Sequence, residues 1–402
     1  VIGVTGSVGK TSTRHAIFTV LSGFRTVRSS YANLNTELGV CLTVLGDWDH
    51  SDLDLVTRKQ AAGSRKLSKV WFWIRVFFRG FSNLVLLPRD QYPEILILEY
   101  GADRPGDIKK LLTIVRPDIA VITAIGSIPV HVEFYANCDE LAREKAKLIE
   151  SVPASGYSIL NADDDRVMGV RERTRGRVST FGFSESASVR VTGFEHKVID
   201  DIPVGISFKL EQKMHFVPVR MQHVYGSAHA YAAAAAAATA SALGMNLVSI
   251  SEKLSHYHPV DGRMNLVPGI KESLILDDSY NASPLSVLSA ISTLELLPAG
   301  RKVAILGDML ELGKYSFEAH AHVGSAVARV ADELITVGLR GKLIAESAQK
   351  AKMNKKNIFS FDTVEEAEPF VLEHIAAGDL VLVKGSHGIR LYELVRAIRA
   401  LD

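Results

Sequence analysis

Cysteine, net charge and internal repetition are all scarce in this sequence. Only Cys41 and Cys138 are cysteines among 402 residues. Two thiols so far apart cannot form a disulfide framework or a Cys-based zinc site. A reducing, cytoplasmic setting is therefore expected. The 46 Lys and Arg nearly cancel the 45 Asp and Glu, leaving +1. With no excess of cations to displace phosphate counterions, nucleic acid is not expected as a partner. No repeat or low-complexity tract is evident, and apolar residues at 47% exclude a disordered chain. At ~150 residues per domain the length suggests two or three domains. The chain opens inside a strand pattern, Val1-Ile2-Gly3-Val4, without Met, so residues upstream are expected.

What is present is alternation. Apolar strand runs such as Glu94–Glu99 and Asp118–Thr123 are separated by helix-length amphipathic segments, Lys10–Leu21 and Asp139–Ser151 among them. That is the pattern of a parallel sheet covered on both faces. Between about 176 and 222 short alternating stretches read as antiparallel hairpins. An alanine-rich helix over His229–Leu243 follows, and the stretch from His256 to Arg263 reads as a linker. Strand–helix alternation then resumes. The expected fold class is α/β: a nucleotide-binding domain over 1–259, mostly parallel with a small antiparallel region, then a Rossmann-like α/β domain over 260–402.

One apolar run interrupts the first domain. Residues 69–87 are long enough to approach a membrane span, but Arg75, Arg79 and Gly80 lie inside. A helix packed on the protein, an interfacial helix with Trp71, Trp73, Phe77, Phe78 and Phe81 at the headgroup level, and a span all remain open.

The strongest chemical signal is Thr5-Gly6-Ser7-Val8-Gly9-Lys10-Thr11-Ser12, placed between a strand and a helix. Polyphosphate needs converging backbone N–H groups, the positive end of a helix and one cation. Gly6 and Gly9 suit the turn, Lys10 the β- and γ-phosphates, and Thr11 a Mg²⁺. The standard pattern places a glycine five residues before Gly9, where Val4 stands.

This variant loop resembles that of the Mur ligases, and further segments resemble their MurF branch: Asn33–Val40, Glu99-Tyr100-Gly101-Ala102 with Pro105–Ile108, Asp277-Asp278-Ser279-Tyr280-Asn281-Ala282-Ser283-Pro284, Leu306–Gly313 and Val383-Lys384-Gly385-Ser386. They span nearly the whole chain in the family's order. The family has an N-terminal uridine-nucleotide domain, a central ATPase and a C-terminal Rossmann-like domain, and the resemblance covers the last two. It implies an ATP-dependent ligase that adds D-alanyl-D-alanine to a UDP-muramoyl tripeptide through an acyl phosphate. Mur-like ligation of other substrates, and a membrane-docked ATP-binding scaffold without turnover, are the alternatives.

The resemblance also implies roles. Gly6, Ser7, Gly9, Lys10, Thr11 and Ser12, with Asp278 and Asn281, are expected to hold ATP. Thr11, Glu99, His131 and Lys145 are expected to hold Mg²⁺, with two ions in the family and Lys145 carbamylated. Lys10, Lys145, His131 and Arg263 are the expected catalytic set. Asp308 is a weaker nucleotide or substrate candidate, and Lys384 a candidate for the dipeptide carboxylate. Two family asparagines are replaced, one by Ala124 and one near His229, which is expected to substitute or to be incidental. Since Lys10 and Asn281 fall on different expected domains, the linker would have to bend for one ATP to touch both.

Overall fold

The computed structural model describes residues 1–30, 34–49, 51–53, 66–85, 92–126, 128 and 134–400. The strand runs of the first half form one nine-stranded sheet. Its order is β2 (Val27–Ser29), β3 (Ile95–Glu99), β1 (Ile2–Thr5), β4 (Ile119–Ile122), β5 (Tyr157–Asn161), β6 (Arg177–Gly182), β7 (Val189–Ile199), β8 (Ile202–Gln212) and β9 (His215–Gln222). Strands β2 to β7 in this order pair in parallel, whereas β7–β8–β9 is an antiparallel meander. The hairpins expected over 176–222 thus extend the parallel sheet. Composition explains the join. The central strands are apolar throughout because both faces are covered, while β9 buries Val217, Val219 and Met221 on one face only.

Helices α1 (Lys10–Leu21), α2 (Glu37–Leu45), α3 (Lys66–Val85), α4 (Asp107–Ile114), α5 (Cys138–Glu150), α6 (Asp165–Gly169), α7 (Ser227–Ala242) and α8 (Leu247–Leu254) belong to this half. One face of the sheet packs on α1, α7 and α8, the other on α4 and α5. The alanine run of α7 is fully buried. Side chains of one methyl let its backbone lie close to α1 and to the sheet, where larger ones would hold it off.

The second half forms a six-stranded sheet in the order β10 (Asn265–Pro268), β11 (Leu274–Asp277), β15 (Asp379–Lys384), β12 (Arg301–Gly307), β13 (Glu333–Val337), β14 (Ile358–Phe361). Only β10 runs antiparallel. Helices α9 (Pro284–Leu296), α10 (Ser316–Val327), α11 (Gly341–Lys350), α12 (Val364–His374) and α13 (Leu391–Ile398) cover its faces. Ser283-Pro284, the end of a segment singled out above, starts α9. The Ser283 hydroxyl accepts from Ser286 N–H in a capping box, and Pro284 occupies the first turn, where no amide is needed.

The apolar run is helix α3, with residues 86 and 87 outside the described part. Phe72 and Val76 pack on Leu34, Leu42 and Leu53, and Asn83 Nδ2 donates to Leu45 O. Among the described residues no helix is long and apolar enough to cross a membrane.

Candidate active site

Open α/β sheets bind ligands beyond the carboxyl ends of their strands. Here β1, β3 and β4 end together. After β1 the loop turns through Gly6 at φ +148° and Gly9 at φ +86°. A Cβ on Gly6 would lie 1.9 Å from Thr123 Oγ1, so no other residue fits there without moving the strand end. The loop is fastened from below. Ser7 N–H and Val8 N–H both donate to Ala124 O, at 2.6 and 3.3 Å, and Thr123 Oγ1 donates to Val8 O at 2.6 Å. Position 124 therefore serves through its main-chain carbonyl, which survives the loss of the family's asparagine. Among the described residues the buried Ser7 hydroxyl has no hydrogen-bond partner, a polar atom left over for a ligand.

Two lysines meet on this loop. Lys10 Nζ donates to Gly6 O at 2.8 Å, and Lys145 Nζ reaches from α5 to the same oxygen at 3.0 Å. Lys145 is 2% exposed. Burial, then the neighbouring Lys10 charge, pushes its ammonium down to about 7. Burial also lowers Lys10, opposed by Glu99 and Asp103 and reinforced by Arg263.

Glu99 ends β3, 1% exposed, and its Oε1 accepts from Arg14 Nε at 2.8 Å. Thr11 is buried at the start of α1. His131 lies outside the described residues. Among those described, no three His, Cys, Asp or Glu side chains come together as a metal-binding group. The donors facing the lysines are nonetheless oxygens, the chemistry a hard cation such as Mg²⁺ takes.

The second half contributes from above. Arg263 stacks its guanidinium on the Tyr280 ring at 4.2 Å, and its charge acts on Lys10. Several of the expected site residues have partners within the protein. Asp278 is paired within the protein: Lys384 Nζ bonds its Oδ2 at 2.6 Å, and its Oδ1 accepts from Met264 N–H. It thereby fixes the backbone beside Arg263. Lys384, the last residue of β15, is 2% exposed and also donates to Asn281 O. Asn281 is exposed, its side-chain oxygen accepting from Ala282 N–H. Ser12 turns its hydroxyl to Tyr257. Asp308 accepts from the N–H groups of Arg340 and Gly341 at the start of α11, a capping role.

His229 is buried between two hydrogen-bond partners. It is 1% exposed, with Nε2 3.1 Å from Arg263 O and Nδ1 3.1 Å from the Tyr257 hydroxyl. A carbonyl can only accept, so Nε2 carries the proton and Nδ1 accepts from Tyr257. Burial pushes the ring down to about 4. Between pH 7 and 5 the unfolded chain protonates this ring and the folded protein does not. Stability should therefore fall with pH, by about 2 kcal/mol over that window. Chemical unfolding at both pH values checks this. The variant His229→Gln should flatten the dependence, and equal slopes in both proteins would show that another group titrates.

Arg14, Asp103, Asp164 and Tyr257 escaped the sequence reading. Asp164 Oδ2 accepts from the N–H groups of Ile125 and Gly126, holding the loop that follows β4. The acidic run Asp163-Asp164-Asp165 directly after a strand was its signal. Asp103 acts on both lysines and lines a cavity of about 90 Å³ with Asn35, Thr36, Glu37, Gly101 and Asp107. Arg14 and Tyr257 left no local signal, since each acts through a partner distant in the chain.

Residues 80–240 match the Mur ligase middle domain, and residues 262–387 the Mur ligase glutamate ligase domain. The chain belongs to the Mur ligase family. It is thus an ATP-dependent ligase, with a C-terminal sheet of the kind this family carries. The UDP-N-acetylmuramoyl-tripeptide–D-alanyl-D-alanine ligase of Bacillus subtilis is 27% identical over 400 residues, covering 98% of this chain and 75% of the relative. The Escherichia coli protein of that name is 26% identical over 402 residues, covering 99% and 76%. Among solved structures, MurF from Acinetobacter baumannii is 26% identical with a TM-score of 0.74, covering 98% of this chain and 75% of that one. MurF ligase from Thermotoga maritima in complex with ADP reaches 0.76 at 24% identity, covering 98% and 78%, a likeness of fold.

Proposed function

We propose that this ligase joins D-alanyl-D-alanine to a UDP-N-acetylmuramoyl tripeptide at the expense of ATP, in the synthesis of peptidoglycan precursor. The observation that carries the chemistry is the pair of buried lysines on one loop carbonyl. Lys10 and Lys145 both bond Gly6 O; bound phosphate oxygens would give the Lys10 cation a better partner than a single carbonyl does, with the Lys145 amine, pushed down to about 7, beside it. The substrates are supported by the relatives' names.

In this reading the loop from Gly6 to Thr11, with the Ser7 hydroxyl, cradles the phosphates of ATP. Lys10 and Arg263 neutralise charge on the γ-phosphoryl as it moves. A tripeptide carboxylate oxygen attacks that phosphorus, the bond to the β-phosphate oxygen breaks, and ADP leaves. The dipeptide amine then attacks the acyl carbon, phosphate departs, and the amine loses a proton. Thr11, Glu99 and His131 would hold Mg²⁺, which supplies further charge neutralisation. For Glu99 this requires sharing its carboxylate with Arg14. Lys145 would carry a carbamate, turning a cation into an oxygen donor. The domain boundary belongs between 259 and 260, in the stretch that Tyr257 and His229 fasten.

Phosphate release from ATP, with each substrate added singly and together, tests the reading. Release that needs both, with an amide product of the expected mass, is the expected result. Release with the tripeptide substrate and an unrelated amine, but not with D-alanyl-D-alanine, would overturn the assignment.

A further inference from the structure

Helix α3 is apolar on two sides, and among the described residues the body of the protein covers one. Phe72 and Val76 face inward. On the other side Val70, Trp71, Ile74, Phe77, Phe78 and Phe81 are between 52% and 77% exposed. At about 100° per residue these six fall within a sector about 120° wide. It is a stripe along the helix, raised on the surface. A contiguous patch of this size calls for an occupant.

Charge identifies it. The twenty residues of α3 include Lys66, Lys69, Arg75 and Arg79 and no acidic residue. Residues 55–89 as a whole carry eight Lys and Arg and no Asp or Glu, in a chain whose net charge is +1. Arg75 and Arg79 lie along one flank of the apolar sector and are exposed, Arg75 pairing with Asp52. A protein partner usually meets a rim of mixed sign. An apolar, aromatic-rich stripe on a helix whose own charged side chains are all cations is instead the pattern of a helix lying in the plane of a lipid headgroup layer.

We propose that the outer face of α3 docks this protein on a bilayer surface that carries anionic lipid. Its inner face stays on α2 through Phe72 and Val76, so contact is shallow and only the outer side chains enter the headgroup boundary. This proposal does not depend on which substrates the ligase joins.

Vesicle flotation tests it. The protein should float with phosphatidylcholine vesicles holding about a third phosphatidylglycerol and remain below with phosphatidylcholine alone. Each cation near such a surface contributes about fivefold in binding, so raised salt should weaken flotation. The double variant Trp71→Ser, Phe78→Ser removes two exposed aromatics from the stripe. It should bind these vesicles at least about tenfold more weakly while keeping its thermal midpoint and phosphate release. Failure of the wild-type chain to float with the anionic vesicles would overturn the proposal. So would flotation unchanged by the substitutions. A dimer that the substitutions dissolve, in a chain that binds no vesicle, would assign the stripe to a second copy instead.

Discussion

Replacing Lys145 by alanine is expected to lower kcat by about 10³-fold, with a folded protein that still binds ATP. The argument rests on where the amine sits. It is buried beside Lys10, and its ammonium is pushed down to about 7. At pH 7.5 a large share of such amines is neutral, against about 0.1% for an ordinary lysine. Only the neutral amine attacks carbon dioxide: nitrogen bonds carbon, a C=O electron pair moves to oxygen, and one proton is released. A buried lysine is thus prepared for the carbamate that the reading above assigns to it. Lys145→Arg distinguishes this from a simple charge effect. A guanidinium stays protonated and cannot take up carbon dioxide, so the arginine variant should be as inactive as the alanine one. Arginine retaining more than a tenth of the activity would show that the residue works as a cation. Removing carbon dioxide should slow the wild-type enzyme, and bicarbonate should restore it. The sign with pH follows. Below pH 7 the amine protonates, so the bicarbonate-dependent activity should fall as pH falls.

The second large effect concerns stability. Lys384→Met is expected to cost about 3–5 kcal/mol, because it leaves the Asp278 carboxylate buried without its ammonium. Burial pushes Asp278 up and Lys384 down, and the 2.6 Å bond offsets that penalty only while both partners are present. The double variant Lys384→Met, Asp278→Asn should recover most of the loss, since an amide oxygen can still accept from Met264 N–H. Thermal unfolding of the three proteins gives the comparison, with the single variant about 6–20 °C below wild type. A single variant within 1 kcal/mol of wild type would mean that solvent or another donor already satisfies Asp278. Because Asp278 holds the backbone next to Arg263, the single variant should also lose activity at temperatures where it remains folded.

Much of this architecture was legible from local pattern. Helix α1 runs over the residues expected, Lys10–Leu21, because a Gly-rich turn ends a strand and an amphipathic run follows. Strands β3 and β4 likewise fall within the runs expected, Glu94–Glu99 and Asp118–Thr123. These boundaries are set by neighbours in the chain: apolar runs, capping residues, glycines at positive φ. Strand β2, only three residues long, and helix α2 gave no comparable signal, and each exists because β3 and α4 offer a surface to pair or pack on. The union of parallel strands and meander into one sheet was also hidden, since pairing between β6 and β7 is a long-range choice that alternation does not encode.

The site divides along the same line. Residue types and spacing in the chain were enough to mark the phosphate loop, because Gly6, Gly9 and Lys10 act through backbone conformation and reach that are local properties. Folding settled which charged groups face one another. It brought Lys145 from α5 to the same oxygen as Lys10, turned Arg14 onto Glu99, closed Lys384 on Asp278 and joined Tyr257 to His229. A buried charge is costly unless paired or hydrogen-bonded, so each of these groups takes the partner that packing delivers. That partner lies anywhere from 28 to 139 positions away in the chain. The motif thus names the chemistry, and burial assigns each side chain to holding the ligand or to holding its neighbour.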